Sequence, residues 1–455
     1  MLDLLLQQTD FFDSGQTKDV NFRKQKLQAL RKSILAHEKD IIEALHQDFK
    51  KSAFETIASE IGVVIDEINL HIKKIKSWHK ARRVMPALVN FPSSAKVYPE
   101  PYGKVLIISP WNYPFNLAII PLIGAVSAGN TVVLKPSEYS SNTAKIIQTN
   151  INEVFDNKHV AVIQGDAQIA RDLLAQKWQY IFFTGSTAVG KYVYQAAAKN
   201  LTPLTLELGG KSPVVIDQTA QLKLAAKRIV WGKFINAGQT CIAPDYILIE
   251  EKVHQEFINY LQAEIIKTYG EDAQNSADFP RIINQQNFNR LSSALKNQPV
   301  IFGGKTDASD LFIAPSLLLN PDLNSELMQY EIFGPILPII TYKKQTEMGK
   351  VLAQHPEPLA FYIFSTDKKQ QQYLIKKYAF GGGVINDVVV HFVNNRLAFG
   401  GVGASGLGAY HGKHSFDTFS HHKSVVKRSN WLDIPFRYAP ATAFKEKMLR
   451  FFLMK

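Results

Sequence analysis

Short apolar runs rich in β-branched residues alternate with helical segments through most of this chain, and no other feature limits its possible folds so strongly. The first runs are "KVLIIS" (104–109), "TVVLK" (131–135), "VAVIQG" (160–165) and "YIFFTG" (180–185). Helical stretches near 115–128, 142–155, 167–176 and 188–199 follow them in turn. A strand that is apolar on both faces is satisfied inside a parallel sheet covered by helices on both sides. A second series repeats the pattern: "PVVI" (213–216), "YILIE" (246–250), "PVIF" (299–302), "ILPII" (336–340), "FYIF" (361–364) and "GVIN" (383–386). Helices around 221–236, 252–269, 285–297 and 367–378 separate these. The pattern predicts two α/β domains in series, preceded by long amphipathic helices over residues 20–80.

The chain has 455 residues, more than the ~250–300 at which a single core stops growing. Its 46% hydrophobic and 20% charged residues are those of a globular protein. Cys241 is the only cysteine, which excludes a disulfide framework and a cysteine-based zinc site and fits a reducing compartment. The start, "MLDLLLQQTD", has an acid where a signal peptide needs a base. No run of ~18 apolar residues occurs, so no membrane span is expected. The formal charge of +12 raises nucleic acid or membrane partners. The basic residues gather in "HIKKIKSWHKARR" (71–83) and in the last thirty residues. A solvated helix face accounts for the first, and neither segment carries a nucleic-acid-binding motif.

Two glycine patterns resemble nucleotide fingerprints. "GVGASG" (401–406) matches G-x-G-x-x-G, but its flanks are those of a glycine-rich loop rather than a strand and a helix. "GSTAVGK" (185–191) matches the start of a P-loop, yet Tyr192 stands where Mg²⁺ binding needs Ser or Thr. Here a strand runs through a glycine into a helix, whose first N–H groups suit a dinucleotide pyrophosphate.

Glu207 of "LTLELGGKSP" lies between leucines, where an apolar setting raises a carboxyl toward the range of a general base. A strand glutamate facing solvent fits the same residues. Cys241 of "NAGQTCIAPD" follows a turn-like segment near backbone N–H groups that can activate a thiol. A lone cysteine is also often a small buried hydrophobe.

"PWNYP" (110–114), "KPSE" (135–138), "FTGSTAVGK" (183–191), "LELGGKSP" (206–213), "NAGQTCIAPDY" (236–246) and "EIFGP" (331–335) occur in this order. Together they resemble the aldehyde dehydrogenase superfamily, from about residue 15 to the end. "GQTCIAPDY" and "FGGVGASGLGAYHGKHSFDTFSH" (399–421) resemble its class 3 branch, which acts on fatty and aromatic aldehydes. Ala237 departs from the pattern, since Ser is common before that glycine.

The resemblance implies Cys241 as the nucleophile, forming a thiohemiacetal and then a thioester. It implies Asn112 as side-chain donor to the oxyanion beside the Cys241 backbone N–H, and Glu207 as the base that activates water. It implies a nicotinamide cofactor, NAD or NADP, and no metal. Trp111, Lys135, Glu138, the turn Gly185, Ser186, Thr187, Ala188, Val189 and Gly190, and Glu331 and Phe333 would bind the cofactor. A carboxylate at Glu138 would chelate ribose hydroxyls, while the class 3 branch often accepts both cofactors.

The implied architecture is a Rossmann-type cofactor domain (1–82 and 104–208), an α/β catalytic domain (209–408) and a small bridging element (83–103 and 409–425) that pairs subunits into a homodimer. Tyr113, Phe115 and 391–396 are expected to line the substrate pocket. The remaining tail, 426–455, ends in "FKEKMLRFFLMK", a basic amphipathic helix with Phe444, Met448, Phe451 and Phe452 on one stripe. Either its own dimer or an anionic membrane surface would receive it. The expectation is a cytoplasmic enzyme with an aldehyde substrate and no nucleic acid. Two other activities stay open: a CoA-acylating aldehyde dehydrogenase, and a cofactor-independent cysteine esterase or thioesterase.

Overall fold

The computed structural model describes residues 2–87, 90–433 and 437–454. The helices Val20–Ala36, Glu38–Phe49 and Gly62–Trp78 occupy the stretch predicted to be helical. The Asp19 carboxylate opens the first of them by accepting the Asn21 N–H at 2.9 Å. Between the second and third, the turn Ala53–Thr56 runs into a wide π turn, Ile57–Ile61, of the kind often found at functional sites.

Six strands form the first sheet, in the order Gly406–Leu407, Leu204–Glu207, Tyr180–Thr184, Lys104–Ile108, Thr131–Lys135, Val160–Val162. All neighbours are parallel except the short Gly406–Leu407, which runs antiparallel to Leu206 and Glu207. The chain moves outward from Lys104–Ile108 to Val160–Val162, then returns to the other side with Tyr180–Thr184. That reversal opens a crevice at the carboxyl ends of two neighbouring strands, where ligands bind in sheets of this type. Trp111 and Asn112 follow one of these strands, and Gly185 and Ser186 follow the other. The helix Asn116–Ala128 is buried over its whole length.

The second sheet has seven strands, ordered Val300–Phe302, Ser316–Leu319, Ile336–Tyr342, Tyr246–Glu250, Pro213–Ile216, Ala360–Phe364, Gly382–Ile385. Only the edge strand Val300–Phe302 is antiparallel. Apolar side chains from both sheets join in one continuous core.

Arg82–Val84, Ser93–Pro101 and Ser420–Arg428 form a separate antiparallel sheet. Its last strand continues to Arg428, three residues past the expected end of the bridging element at 425. The helix Lys413–Thr418, also within that segment, lies instead against Asn116–Ala128. A Cβ added at Gly124 would stand 2.9 Å from the Ser415 Cβ. "GVGASG" is a loop with a short 3₁₀ turn, Gly403–Ser405, and does not link a strand to a helix. The tail forms the helix Ala443–Leu453, none of whose residues is buried.

Candidate active site

The helix Leu222–Phe234 ends seven positions before Cys241, and the chain between them turns through three left-handed residues. These are Asn236 (φ 53°), Ala237 (φ 52°) and Gly238 (φ 74°). Gly238 is required twice, by its φ and because a Cβ there would stand 2.3 Å from the Gly334 carbonyl oxygen. Hydrogen bonds hold the turn. The Asn236 side chain donates to the carbonyls of Asn112 (2.7 Å) and Gln239 (3.1 Å). The Gln239 amide donates to the carbonyls of Asn236 and Arg281, both at 3.0 Å, and accepts the Ile283 N–H at 3.0 Å. The Asn112 side chain donates to the Gln239 carbonyl at 3.0 Å. Asn112 and the Cys241 segment are therefore fixed to one another by direct bonds.

Cys241 is half-buried and opens onto a cavity of about 810 Å³. Burial pushes its thiol up, and the carboxylates of Glu331 and Glu207 push it further. The N–H groups of Cys241 and Ile242 oppose them. The resting sulfur thus holds its proton, and the backbone donors that the sequence suggests as activators are outweighed.

Glu207 ends the strand Leu204–Glu207, which pairs on one side with Thr184 and on the other with Gly406. Its side chain is 2% exposed, and both carboxyl oxygens lack a hydrogen-bond partner among the described residues. Burial alone holds this carboxyl well above the usual carboxylate range. The backbone of Glu207 also shapes the neighbouring turn, since its carbonyl accepts the Gly185 N–H at 3.0 Å.

Ser186 caps the helix Thr187–Ala198 by accepting the Val189 N–H at 3.4 Å, and the N–H groups of Thr187 and Ala188 lie at the same helix start. Gly190 lets this helix rest on the next strand's end: a Cβ there would lie 2.6 Å from Leu208 Cδ2. Lys135, the buried last residue of the strand Thr131–Lys135, pairs at 2.8 Å with Glu138, which opens the following 3₁₀ turn. The rings of Trp111 and Phe333 meet edge to face, 5.3 Å apart. Glu331 Oε1 is buried without a hydrogen-bond partner among the described residues. The other oxygen presses on Gly209, where a Cβ would lie 2.1 Å away. Burial and then Asp245 push the Glu331 carboxyl up to about 8, against the Gly210 N–H and Lys211. An orphaned acceptor beside a capped helix start and a partly open Lys–Glu pair fits a dinucleotide, whose ribose hydroxyls can donate and whose pyrophosphate suits the N–H groups.

Lys211 and Asp245 were not singled out from the sequence, although both lie inside quoted motifs. They form a buried ion pair. Lys211 also donates to the carbonyls of Leu327 (2.7 Å) and Tyr330 (3.0 Å), and Asp245 accepts the Ile332 N–H at 2.9 Å. The pair thereby ties the "EIFGP" loop to the segments that follow Glu207 and Cys241.

The cavity wall is mostly apolar, with Phe54, Leu117, Trp231, Ile235 and Val390 among its residues. Of the residues expected there, Tyr113, Phe392 and Val393 line it, and Phe115 is buried in the core. Tyr113 bonds to the Thr240 hydroxyl at 2.7 Å, next to the sulfur.

The model of the aldehyde dehydrogenase family matches residues 10–425. The 4,4'-diaponeurosporen-aldehyde dehydrogenase of Staphylococcus aureus is 48% identical over 93% of both chains. Aldehyde dehydrogenase family 3 member A2 of Pongo abelii is 44% identical over 98% of this chain and 92% of its own. Among solved structures, the substrate-bound state of Staphylococcus aureus AldH superimposes with a TM-score of 0.97 at 46% identity, covering 99% of each chain. On its fold, its motifs and these likenesses, the chain belongs to the aldehyde dehydrogenase family and resembles its class 3 members.

Proposed function

We propose that this enzyme oxidises medium- or long-chain aliphatic or aromatic aldehydes to carboxylic acids by covalent catalysis at Cys241, with NAD or NADP as hydride acceptor. The observation that carries this reading is the bonded unit of Asn112 and the Cys241 turn, opening onto an apolar cavity, with Glu207, which has no hydrogen-bond partner among the described residues, acting on the same thiol. The thiol is raised and protonated at rest, so the attacking thiolate forms by loss of that proton to solvent through the cavity onto which Cys241 opens. As the Sγ–C bond forms, negative charge gathers on the aldehyde oxygen, and the Asn112 amide and Cys241 N–H are the donors already in place. The bound cofactor supplies the acceptor for the hydride that leaves this carbon. The resulting Cys241 thioester is opened by water whose proton passes to the ionised form of Glu207, which burial makes a stronger base than an ordinary carboxylate. Retention of this base supports hydrolysis over transfer to CoA.

Trp111, Lys135, Glu138, Gly185 to Gly190, Glu331 and Phe333 are assigned to the cofactor. Glu138 favours free ribose hydroxyls. Residues 1–82 and 104–208 serve the cofactor, and 209–408 carry the nucleophile. The small antiparallel sheet pairs subunits, a reading supported by exposed Val425 and Val426 on its last strand. The tail helix docks on that dimer, with an anionic membrane surface as its alternative.

The test is formation of reduced nicotinamide from a panel of aliphatic and aromatic aldehydes, with NAD and NADP in parallel. Cys241→Ala is expected to abolish turnover and to keep cofactor binding. Full activity in that variant overturns the choice of nucleophile, and acyl-CoA outpacing free acid overturns the choice of acceptor.

A further inference from the structure

The left-handed turn before Cys241 is also held from the cavity side, by a carboxyl that the reaction above does not use. Glu55 belongs to the short turn Ala53–Thr56, opened by Ser52, whose hydroxyl accepts the Glu55 N–H at 3.2 Å. Its side chain is 8% exposed and lines the cavity that holds Cys241. Glu55 Oε1 accepts the backbone N–H of Asn236 at 2.9 Å. Asn236 is the first of the three left-handed residues, and its own side chain grips the carbonyl of Asn112 and that of Gln239. Left-handed backbone at a non-glycine residue costs energy that surrounding bonds must supply. The other bonds in this cluster join amides to carbonyls, so Glu55 is the titratable member.

We propose that Glu55 is a positioning residue for the oxyanion pocket: its carboxyl holds the Asn236 N–H, and through Asn236 it fixes the Asn112 amide and the Cys241 segment in the geometry that receives the aldehyde oxygen. The role assigned to Asn112 and Cys241 above is assumed in this. Charged and titratable groups face Glu55 from several elements. The Lys51 ammonium, bonded to Glu60 at 2.8 Å and set over the Tyr113 ring, holds the carboxyl down. Glu60 and Asp278 push it up, and its charge in turn raises the hydroxyls of Tyr113 and Tyr269. Burial outweighs the rest and lifts Glu55 to about 7. The ionised carboxylate is the stronger acceptor for an N–H, so the grip on the turn tightens as pH rises through neutrality.

The test compares Glu55→Ala, Glu55→Gln and the parent enzyme in two assays. In steady-state oxidation, Glu55→Ala is expected to lower kcat about tenfold, the effect of one lost buried hydrogen bond. KM for the aldehyde and the binding of cofactor should change less than about threefold. Glu55→Gln keeps an acceptor oxygen and is expected to recover most of kcat while flattening its rise around neutral pH. A loss confined to KM would make Glu55 merely part of the cavity wall. An equal loss in both variants would rest the effect on charge rather than on the Asn236 bond; either result overturns the proposal. The second assay is the rate of iodoacetamide alkylation of the single cysteine, read by intact mass, which needs neither aldehyde nor cofactor. A changed rate in Glu55→Ala that returns in Glu55→Gln supports positioning even if no aldehyde is oxidised, so the two readings fail separately. Should Glu55→Ala not fold, Glu55→Asp withdraws the acceptor by one carbon and is held to the same outcomes.

Discussion

Two buried carboxyls, Glu207 and Glu331, set the chemistry that surrounds one sulfur. Glu207 has no partner for either oxygen among the described residues, and burial holds it well above the ordinary carboxylate range. In the unfolded chain the same carboxyl ionises near about 4.3. Between that value and the folded one, the native state binds the extra proton, so this group's contribution to stability falls as pH rises. Glu207→Gln removes that loss. Its melting temperature is expected to exceed the parent's by a margin that grows from about pH 5 to about pH 8, at ~1 °C for each kcal/mol in a chain of 455 residues. A margin that stays flat or shrinks across that range would mean that Glu207 is well solvated or paired. Glu331 differs, because the Gly210 N–H and Lys211 partly offset its burial.

At the scale of elements, the decisive piece is the turn between the helix Leu222–Phe234 and Cys241. Gly238→Ala would place a methyl group against the Gly334 carbonyl in a backbone conformation that costs alanine ~1–2 kcal/mol even in open space. The expected outcome is a melting temperature lowered by several degrees and a much reduced kcat, with cofactor binding retained in the other sheet. Unchanged activity would separate the turn's geometry from catalysis. Much of this element level is legible in the sequence, for a physical reason. Parallel strands sandwiched by helices must be apolar on both faces, so runs such as "YIFFT" and "YILIE" announce themselves, and the strands Tyr180–Thr184 and Tyr246–Glu250 are where they were expected. The strand Ser93–Pro101 is different: it is only partly buried, carries two prolines, and owes its register to Ser420–Arg428, far along the chain. Its partner is mostly exposed and basic, so neither shows a strand pattern alone. Trp111, Asn112, Lys135 and Gly185 lie at or just beyond strand ends, which the apolar runs mark, whereas Cys241 follows a helix and a left-handed turn that no run marks. Glu55 escaped notice because "SAFETI" reads as any exposed helix start. Only the fold brings it to the back of the Cys241 turn.

The whole molecule joins two parallel sheets through one core, with the dinucleotide-type crevice in the first sheet and the cysteine turn in the second. Glu207 lies on the last parallel strand of the first sheet, so it stands at the seam where the two meet. Outside this body, among the described residues, the tail helix Ala443–Leu453 buries nothing, and no helix is long and apolar enough to cross a membrane. Leu449, Phe452 and Leu453 are exposed near Lys445, Lys447 and Arg450. Sedimentation with anionic vesicles should be compared for the full chain and for a chain ending at Asn430. Equal behaviour, with the subunit assembly lost on truncation, is expected if the tail docks on the dimer; vesicle binding lost on truncation would move it to the membrane. In the proposed reaction a substrate carbon becomes bonded to Cys241, and Glu207 is needed to release it. Intact-mass analysis of Glu207→Gln mixed with an aldehyde and NAD or NADP tests this directly. The expected result is an acyl adduct on the Cys241 peptide, formed in step with one equivalent of reduced nicotinamide and slow to hydrolyse. An unmodified cysteine during continuing turnover, or an adduct elsewhere in the chain, would contradict it.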